Sequence, residues 1–224
     1  MRIKICGVTR LDDAQAAAEL GAWAVGMVFY EGSPRRATLD QAELIGAALQ
    51  RRCEVAGVFV NSSLEQIAQA AERAKLTLVQ LHGEEGPSFC AEVARRTGAR
   101  VIKAAAVRGA ATLQDMARFH TDFHLLDGHA PSLRGGTGTS FDWSLIAARR
   151  SKIPLIISGG LSALNVAEAI ERTHPYAVDV ASGVESAPGI KDPDLLTAFF
   201  QAANPSIDQA DPHQAAATPT VAPV

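Results

Sequence analysis

Eight apolar, β-branched runs recur along the chain, at 2–6 (RIKIC), 23–29 (WAVGMVF), 54–60 (EVAGVFV), 77–81 (TLVQL), 100–106 (RVIKAAA), 122–127 (DFHLLD), 154–158 (PLIIS) and 177–182 (AVDVAS). Each has the length of a buried strand, and the stretches between them carry apolar residues at helical spacing. Thr9-x-x-Asp12 reads as a capping-box-like start for a helix that carries Leu11, Ala14 and Ala18 and stops at Gly21. Ser62-x-x-Glu65 repeats that pattern before Leu64, Ile67, Ala68 and Ala71. Strand and helix thus alternate with a period of about 25 residues, which commits the chain to parallel strands joined by crossovers of one hand. Eight such units are the number that closes a barrel.

An open doubly wound sheet is the competing architecture, and it usually carries G-x-G-x-x-G or G-x-x-x-x-G-K after its first strand. Gly7-Val8-Thr9 supplies neither. The expected fold is therefore α/β, a single (β/α)8 TIM barrel over residues 1–203, and 224 residues at 47% hydrophobic content suffice for its one large core. Residues 204–224 (NPSIDQADPHQAAATPTVAPV) are rich in Ala and Pro and carry no bulky aromatic. They are expected to form a disordered tail.

A net charge of -3 gives no basic footprint for nucleic acid and no polybasic surface for a membrane. Cys6, Cys53 and Cys90 are odd in number, far apart and without a C-x-x-C pair, which argues against a disulfide framework or a zinc site. With no signal-like start and no long uncharged span, the expectation is a cytoplasmic, unexported chain, monomeric by default.

In this architecture the chemistry collects at the carboxyl ends of the strands. Cys6 ends the first run, where it is either a small packed hydrophobe or a thiol activated by dipoles and cations. Arg35 and Arg36 follow the second run, Gln80 and His82 end the fourth, Asp127 ends the sixth and Asp179 lies within the eighth. Asp127 projects into the mouth, where partial burial favours a general acid; its alternative is a loop cap or a partner for Lys103 or Arg134. Gln80 and His82 are possible substrate contacts, and Asp179 is either another or part of a polar layer inside the barrel. Ser158-Gly159-Gly160 and Ser182-Gly183 follow the last two strands, where backbone N–H groups and the following helix N-termini commonly hold a phosphate. Tight turns are the plainer reading of those glycines. The loop from Gly128 to Thr139 carries Gly135, Gly136 and Gly138 and is long enough for a closing lid. His120, His124 and His129 have no metal-ligand spacing, so no metal is expected.

The strings KICGVTR, FYEGSPRRAT, VQLHGEE, LLDGHAPSLRGGTGTSFDWSLI, ISGGLSALNV and VDVASGVESAPGIKD, in this order over about residues 1–203, resemble the phosphoribosylanthranilate isomerase family of tryptophan biosynthesis. The resemblance implies an Amadori rearrangement of N-(5'-phosphoribosyl)anthranilate, a phosphorylated aminosugar, without metal or organic cofactor. It also implies Cys6 as general base, Asp127 as general acid, Arg35 as the holder of the anthranilate carboxylate, and Gly159, Gly160, Ser182 and Gly183 as the phosphate grip. Opposite starting protonation of acid and base would follow from a carboxyl raised by burial and a thiol lowered by cationic or dipolar surroundings.

Two other functions fit parts of the pattern. A dual isomerase that also accepts a histidine-pathway aminoaldose usually has an aspartate base where this chain has Cys6. A barrel that binds phosphosugars without turnover would need no acid and base astride one ribose. Indole-glycerol-phosphate synthase calls for a strand-end lysine acid, whereas Lys4 and Lys103 lie earlier in their runs.

Overall fold

The computed structural model describes residues 1–128, 143, 146, 149 and 151–205. Eight parallel strands close into one barrel in chain order: β1 (Arg2–Ile5), β2 (Ala24–Val28), β3 (Glu54–Phe59), β4 (Leu78–Leu81), β5 (Arg100–Ala106), β6 (Phe123–Asp127), β7 (Leu155–Ser158) and β8 (Ala177–Val180). Around them lie α1 (Leu11–Glu19), α2 (Leu39–Leu49), α3 (Leu64–Arg73), α4 (Pro87–Thr97), α5 (Ala110–Met116), α6 (Val166–Thr173) and α7 (Pro193–Ala203). Past β8 the chain makes a 3-10 turn at Ser182–Val184 and a small antiparallel hairpin, β9 (Glu185–Ala187) with β10 (Ile190–Lys191), before α7. No helix among the described residues is long and apolar enough to cross a membrane.

Side chains alternate between two cores, as the two-residue strand period requires. Inward-facing Ala24, Ala56, Leu78, Ile102, Phe123, Leu125, Ile156 and Ala177 fill the barrel. Outward-facing Ile3, Ile5, Val25, Met27, Val79, Leu81, Ile157 and Val178 join the larger core that the helices cover. Trp23 packs edge-on against Phe123 and Tyr176, at 5.5 and 5.6 Å between ring centroids, with Arg2 4.3 Å over the Tyr176 ring. Apolar residues thus fill the lower part of the barrel interior, and the polar side chains of the same inward face lie toward the carboxyl ends of the strands.

Two helix starts differ from the sequence reading. The N-cap of α1 is Arg10 with no side-chain cap, because the Thr9 hydroxyl donates 2.7 Å to the Gly189 carbonyl instead of capping the helix. The capping box of α3 is Ser63 with Gln66, one residue after the expected Ser62 and Glu65; both positions carry a serine, and the helix uses the second. The start of α2 has a capping box of its own, Thr38 with Gln41.

Of the residues read as a tail, Asn204 and Pro205 are described, and the Asn204 Oδ1 accepts a hydrogen bond from the N-terminal ammonium. The rest, and the loop glycines Gly135, Gly136 and Gly138 with His129 and Arg134, lie outside the described residues.

Gly46 in α2 approaches the end of α3 so closely that a Cβ would stand 1.9 Å from the Ala74 carbonyl oxygen. In a helix interior Ala is normally favoured over Gly by about 0.5–1 kcal/mol. Gly46→Ala is expected to reverse that sign and destabilise the protein by about 1–3 kcal/mol through overpacking, seen as a lower Tm. A higher Tm would contradict the contact.

Candidate active site at the barrel mouth

Barrel closure sets the order of groups around the mouth: Asp127 at the end of β6, the glycine turns after β7 and β8, Cys6 just past β1, and Arg35 in the loop after β2. Cys6 extends the β1 ladder, its N–H donating 2.8 Å to the Val180 carbonyl, and its residue is 8% exposed. Burial pushes the Cys6 thiol up from its ordinary value, against the pull of Lys4 and Lys191, and Asp179 adds to the rise. The expected lowering of this thiol is therefore not met, because desolvation outweighs the cations.

Gly7 turns the chain out of β1 at φ +73°, and a Cβ there would lie 2.6 Å from Arg35 Cδ. Glycine is needed twice over, for the left-handed backbone and for the arginine stem. Arg35 points inward and its side chain is 25% exposed, while Arg36 points out to Glu31 at 51%. The guanidinium is already engaged: Nε donates 3.0 Å and Nη2 2.7 Å to the Glu185 carboxylate. The bidentate edge expected for a substrate carboxylate is thus taken by the protein on the Nε side, which leaves the end-on Nη1/Nη2 edge for a ligand.

Glu185 and Lys191 were not singled out by the sequence. Lys191 is 2% exposed, and its ammonium donates to Cys6 O at 2.6 Å, Ala181 O at 3.1 Å and Glu185 Oε1 at 2.8 Å. Burial pushes Glu185 up, but hydrogen bonds and charge from Arg35 and Lys191 outweigh it and hold the carboxylate below its usual range. One carboxylate from the hairpin therefore ties the cation of the β2 loop to the backbone of the thiol residue.

Asp127 Oδ2 lies 3.5 Å from His82 Nε2. Gln80 Nε2 stands 3.2 Å from His82 Nδ1; with the amide donating, Nδ1 accepts and the Nε2 proton faces Asp127. Burial lowers the His82 pKa, with Asp127 and Asp179 opposing, which favours this neutral ring. Gln80 Oε1 is buried without a hydrogen-bond partner among the described residues. Lys103 is not the partner considered for Asp127. It sits at the alternate, outward register position of β5 and binds Glu85 Oε2 at 2.8 Å, together with the Leu81 and Gly83 carbonyls.

Asp179 belongs to a polar layer inside the barrel: Oδ1 takes a 2.7 Å bond from Lys4 and Oδ2 one of 3.1 Å from Ser158 Oγ. Gly159 and Gly160 adopt φ +96° and +67°, backbone that excludes most side chains. At Gly183 the constraint is space, since a Cβ would fall 1.9 Å from the Leu161 carbonyl oxygen. The two turns thus pack backbone on backbone. The sequence reading expected α-helix N-termini at both; α6 begins six residues after Gly160, but Ser182 and Gly183 open only a 3-10 turn, because the hairpin that carries Glu185 and Lys191 intervenes before α7.

Clefts of about 710 and 780 Å3 flank the rim, one along His82 and Lys103, the other along Phe29 and Arg36. Neither is lined by Cys6, Asp127 or Arg35. Among the described residues, no group of three His, Cys, Asp or Glu side chains is arranged to hold a metal ion. His124 is buried and bonded to the Phe119 carbonyl at 2.9 Å.

The family model described as N-(5'-phosphoribosyl)anthranilate (PRA) isomerase matches residues 3–202. The N-(5'-phosphoribosyl)anthranilate isomerase of Pelobacter propionicus is 46% identical over 203 residues, 91% of this chain and 95% of the relative. The crystal structure of phosphoribosyl anthranilate isomerase from Thermotoga maritima superposes with a TM-score of 0.81 at 41% identity, over 91% of this chain and 98% of that one. A structure of phosphoribosyl anthranilate isomerase in complex with reduced 1-(o-carboxyphenylamino)-1-deoxyribulose 5-phosphate gives 0.78 at 39% identity, with the same coverage.

Glu85 accepts from Asn61 N and Gly83 N as well as Lys103, and these contacts hold its carboxylate below the usual range although burial alone would raise it. A lowered folded-state pKa means stability that is present above the unfolded value of about 4.3 and lost as pH falls through the folded one. Glu85→Gln is expected to cost about 3 kcal/mol near neutral pH by leaving Lys103 without its counter-charge, and to flatten the fall of Tm below pH 4. An unchanged acid limb in the variant would contradict this account.

Proposed function

The chain belongs to the N-(5'-phosphoribosyl)anthranilate isomerase family, and from that premise we propose that its mouth converts N-(5'-phosphoribosyl)anthranilate to 1-(2-carboxyphenylamino)-1-deoxyribulose 5-phosphate in tryptophan biosynthesis, with Asp127 as general acid and Cys6 as general base. Membership makes the protein an isomerase; the residue roles and the substrate pose are the proposal. The observation that carries it is the order around the closed barrel, in which β6, the β7 and β8 turns, β1 and the β2 loop follow one another. An acid, a glycine-lined turn pair, a thiol and a cation thus follow one another around the rim in the order that a phosphate, a ribose and an aromatic carboxylate would require.

In this reading the substrate phosphate accepts from backbone N–H groups at Gly159, Gly160, Ser182 and Gly183. Asp127 gives its proton to the furanose ring oxygen. The C1–O bond breaks, and the anilino nitrogen lone pair forms an iminium. The Cys6 thiolate then takes the proton from the adjacent ribose carbon, and those electrons neutralise the iminium to an enolamine. Tautomerisation gives the ketone product. The thiol acts as a base and forms no bond to carbon. The free edge of Arg35 holds the anthranilate carboxylate, and Gln80 Oε1, buried without a partner among the described residues, is an acceptor open to a sugar hydroxyl. A reducing cytoplasm keeps such a thiol available.

Two experiments test these roles. Turnover followed by loss of substrate fluorescence is expected to fall by about 10²–10⁴-fold in Cys6→Ala and in Asp127→Asn, with circular dichroism unchanged. Near wild-type turnover in either folded variant would contradict its assignment. Arg35→Met is expected to raise KM by roughly 10- to 100-fold while Arg36→Met leaves it near wild type. The reverse pattern would move the carboxylate site to Arg36.

A further inference from the structure

A base must accept a proton, yet the proposed base lies in a site whose burial disfavours the thiolate, so some buried group has to compensate. Lys4 is 0% exposed inside the barrel and sits two residues before Cys6 on the same inward face of β1. A Cβ at Gly26 of the neighbouring strand β2 would lie 3.2 Å from Lys4 Nζ and 3.3 Å from Cys6 Sγ, so the two polar heads converge on the one spot where β2 presents no side chain. A side chain there would crowd both heads at once.

Donor accounting separates Lys4 from the other cations. An ammonium has three N–H groups to place. Lys191 directs its own to Cys6 O, Ala181 O and Glu185 Oε1. Lys4 gives one to Asp179 Oδ1 at 2.7 Å, and no other oxygen accepts from it among the described residues, while the Cys6 sulfur borders the same gap at Gly26. The charged groups facing Cys6 are Lys4 from its own strand, Asp179 from β8, Lys191 from β10 and Arg35 from the β2 loop. With Glu185 bound to the last two, three cations meet two carboxylates. The cluster carries one positive charge in excess, a field that favours negative charge at Cys6.

We propose that Lys4 is the positioning residue for Cys6: its buried ammonium holds the thiolate in proton-accepting form through the gap left by Gly26, and Asp179 sets the strength of that hold by competing for the same ammonium. The inference rests on reading Cys6 as the general base. It adds the counter-charge for the thiolate with which the proposed base step begins.

The test is the pH dependence of Cys6 alkylation by iodoacetamide, read by peptide mass so that Cys53 and Cys90 do not contribute, beside the acid limb of kcat/KM. Lys4→Met is expected to move both midpoints up by about one to three pH units, with kcat falling more than KM rises. Lys4→Arg should restore most of the shift. Asp179→Asn should move the midpoints down, since it frees Lys4 for the sulfur. Loss of packing would destabilise the Lys4→Met and Asp179→Asn variants alike and would not shift the thiol in opposite directions. If Lys4→Met does not fold, Asp179→Asn decides: a midpoint unmoved or raised overturns the proposal. Unmoved midpoints in all variants, with lower Tm, would likewise make Lys4 purely structural. Failure of the base assignment looks different, because Cys6→Ala would then keep turnover while the alkylation shifts remained.

Discussion

The ion pair between Lys4 and Asp179 crosses the seam where the sheet closes on itself, at a register position where the two residues are direct partners on β1 and β8. Buried charges are costly to desolvate, and such a pair need not stabilise the fold relative to apolar residues of the same size. Its effect is on register. A slip of one residue would turn Lys4 out among the aliphatic side chains under the helices and leave Asp179 buried without its cation. Ser158 ties β7 to the same carboxylate. Three strands are thereby aligned at the level from which the glycine turns and Cys6 project, so the chemistry at the mouth inherits its geometry from the polar layer beneath it.

A second charged layer lies above the first. Glu185 and Lys191 from the hairpin bind Arg35, the Cys6 carbonyl and the Ala181 carbonyl, while Thr9 holds the hairpin's Gly189. Loops from opposite ends of the sequence, after β1, β2 and β8, become one body. A guanidinium fixed through Nε and Nη2 keeps little freedom and offers a single remaining edge, so a carboxylate bound there as proposed would find its orientation already set.

Much of this was legible in the chain. The alternation of strand and helix periods gave the number of units, and the closed barrel follows from that count. The strand ends placed Cys6, Gln80, His82 and Asp127 on one rim, because an inward position on a short parallel strand is determined by parity. Helix starts were less legible: adjacent serines at 62 and 63 both suit an N-cap, and Thr9 found a competing acceptor 180 residues away. The partners of Arg35 and Lys4 could not be read, since Glu185 and Asp179 come close only when the barrel closes. The R-I-K-I-C alternation does place Lys4 and Cys6 on one face, and that was the available signal. The thiol was expected to be lowered; the structure opposes that with burial, which sequence patterns do not measure.

As proposed, Cys6 takes a proton from the sugar and makes no bond to it. Single-turnover reaction of substrate deuterated at ribose C2, with intact-protein mass followed in the same quenched samples, measures both halves at once. A primary isotope effect on the chemical step and an enzyme mass unchanged throughout are expected. A rate insensitive to deuterium together with a substrate-sized adduct on Cys6 would contradict this assignment.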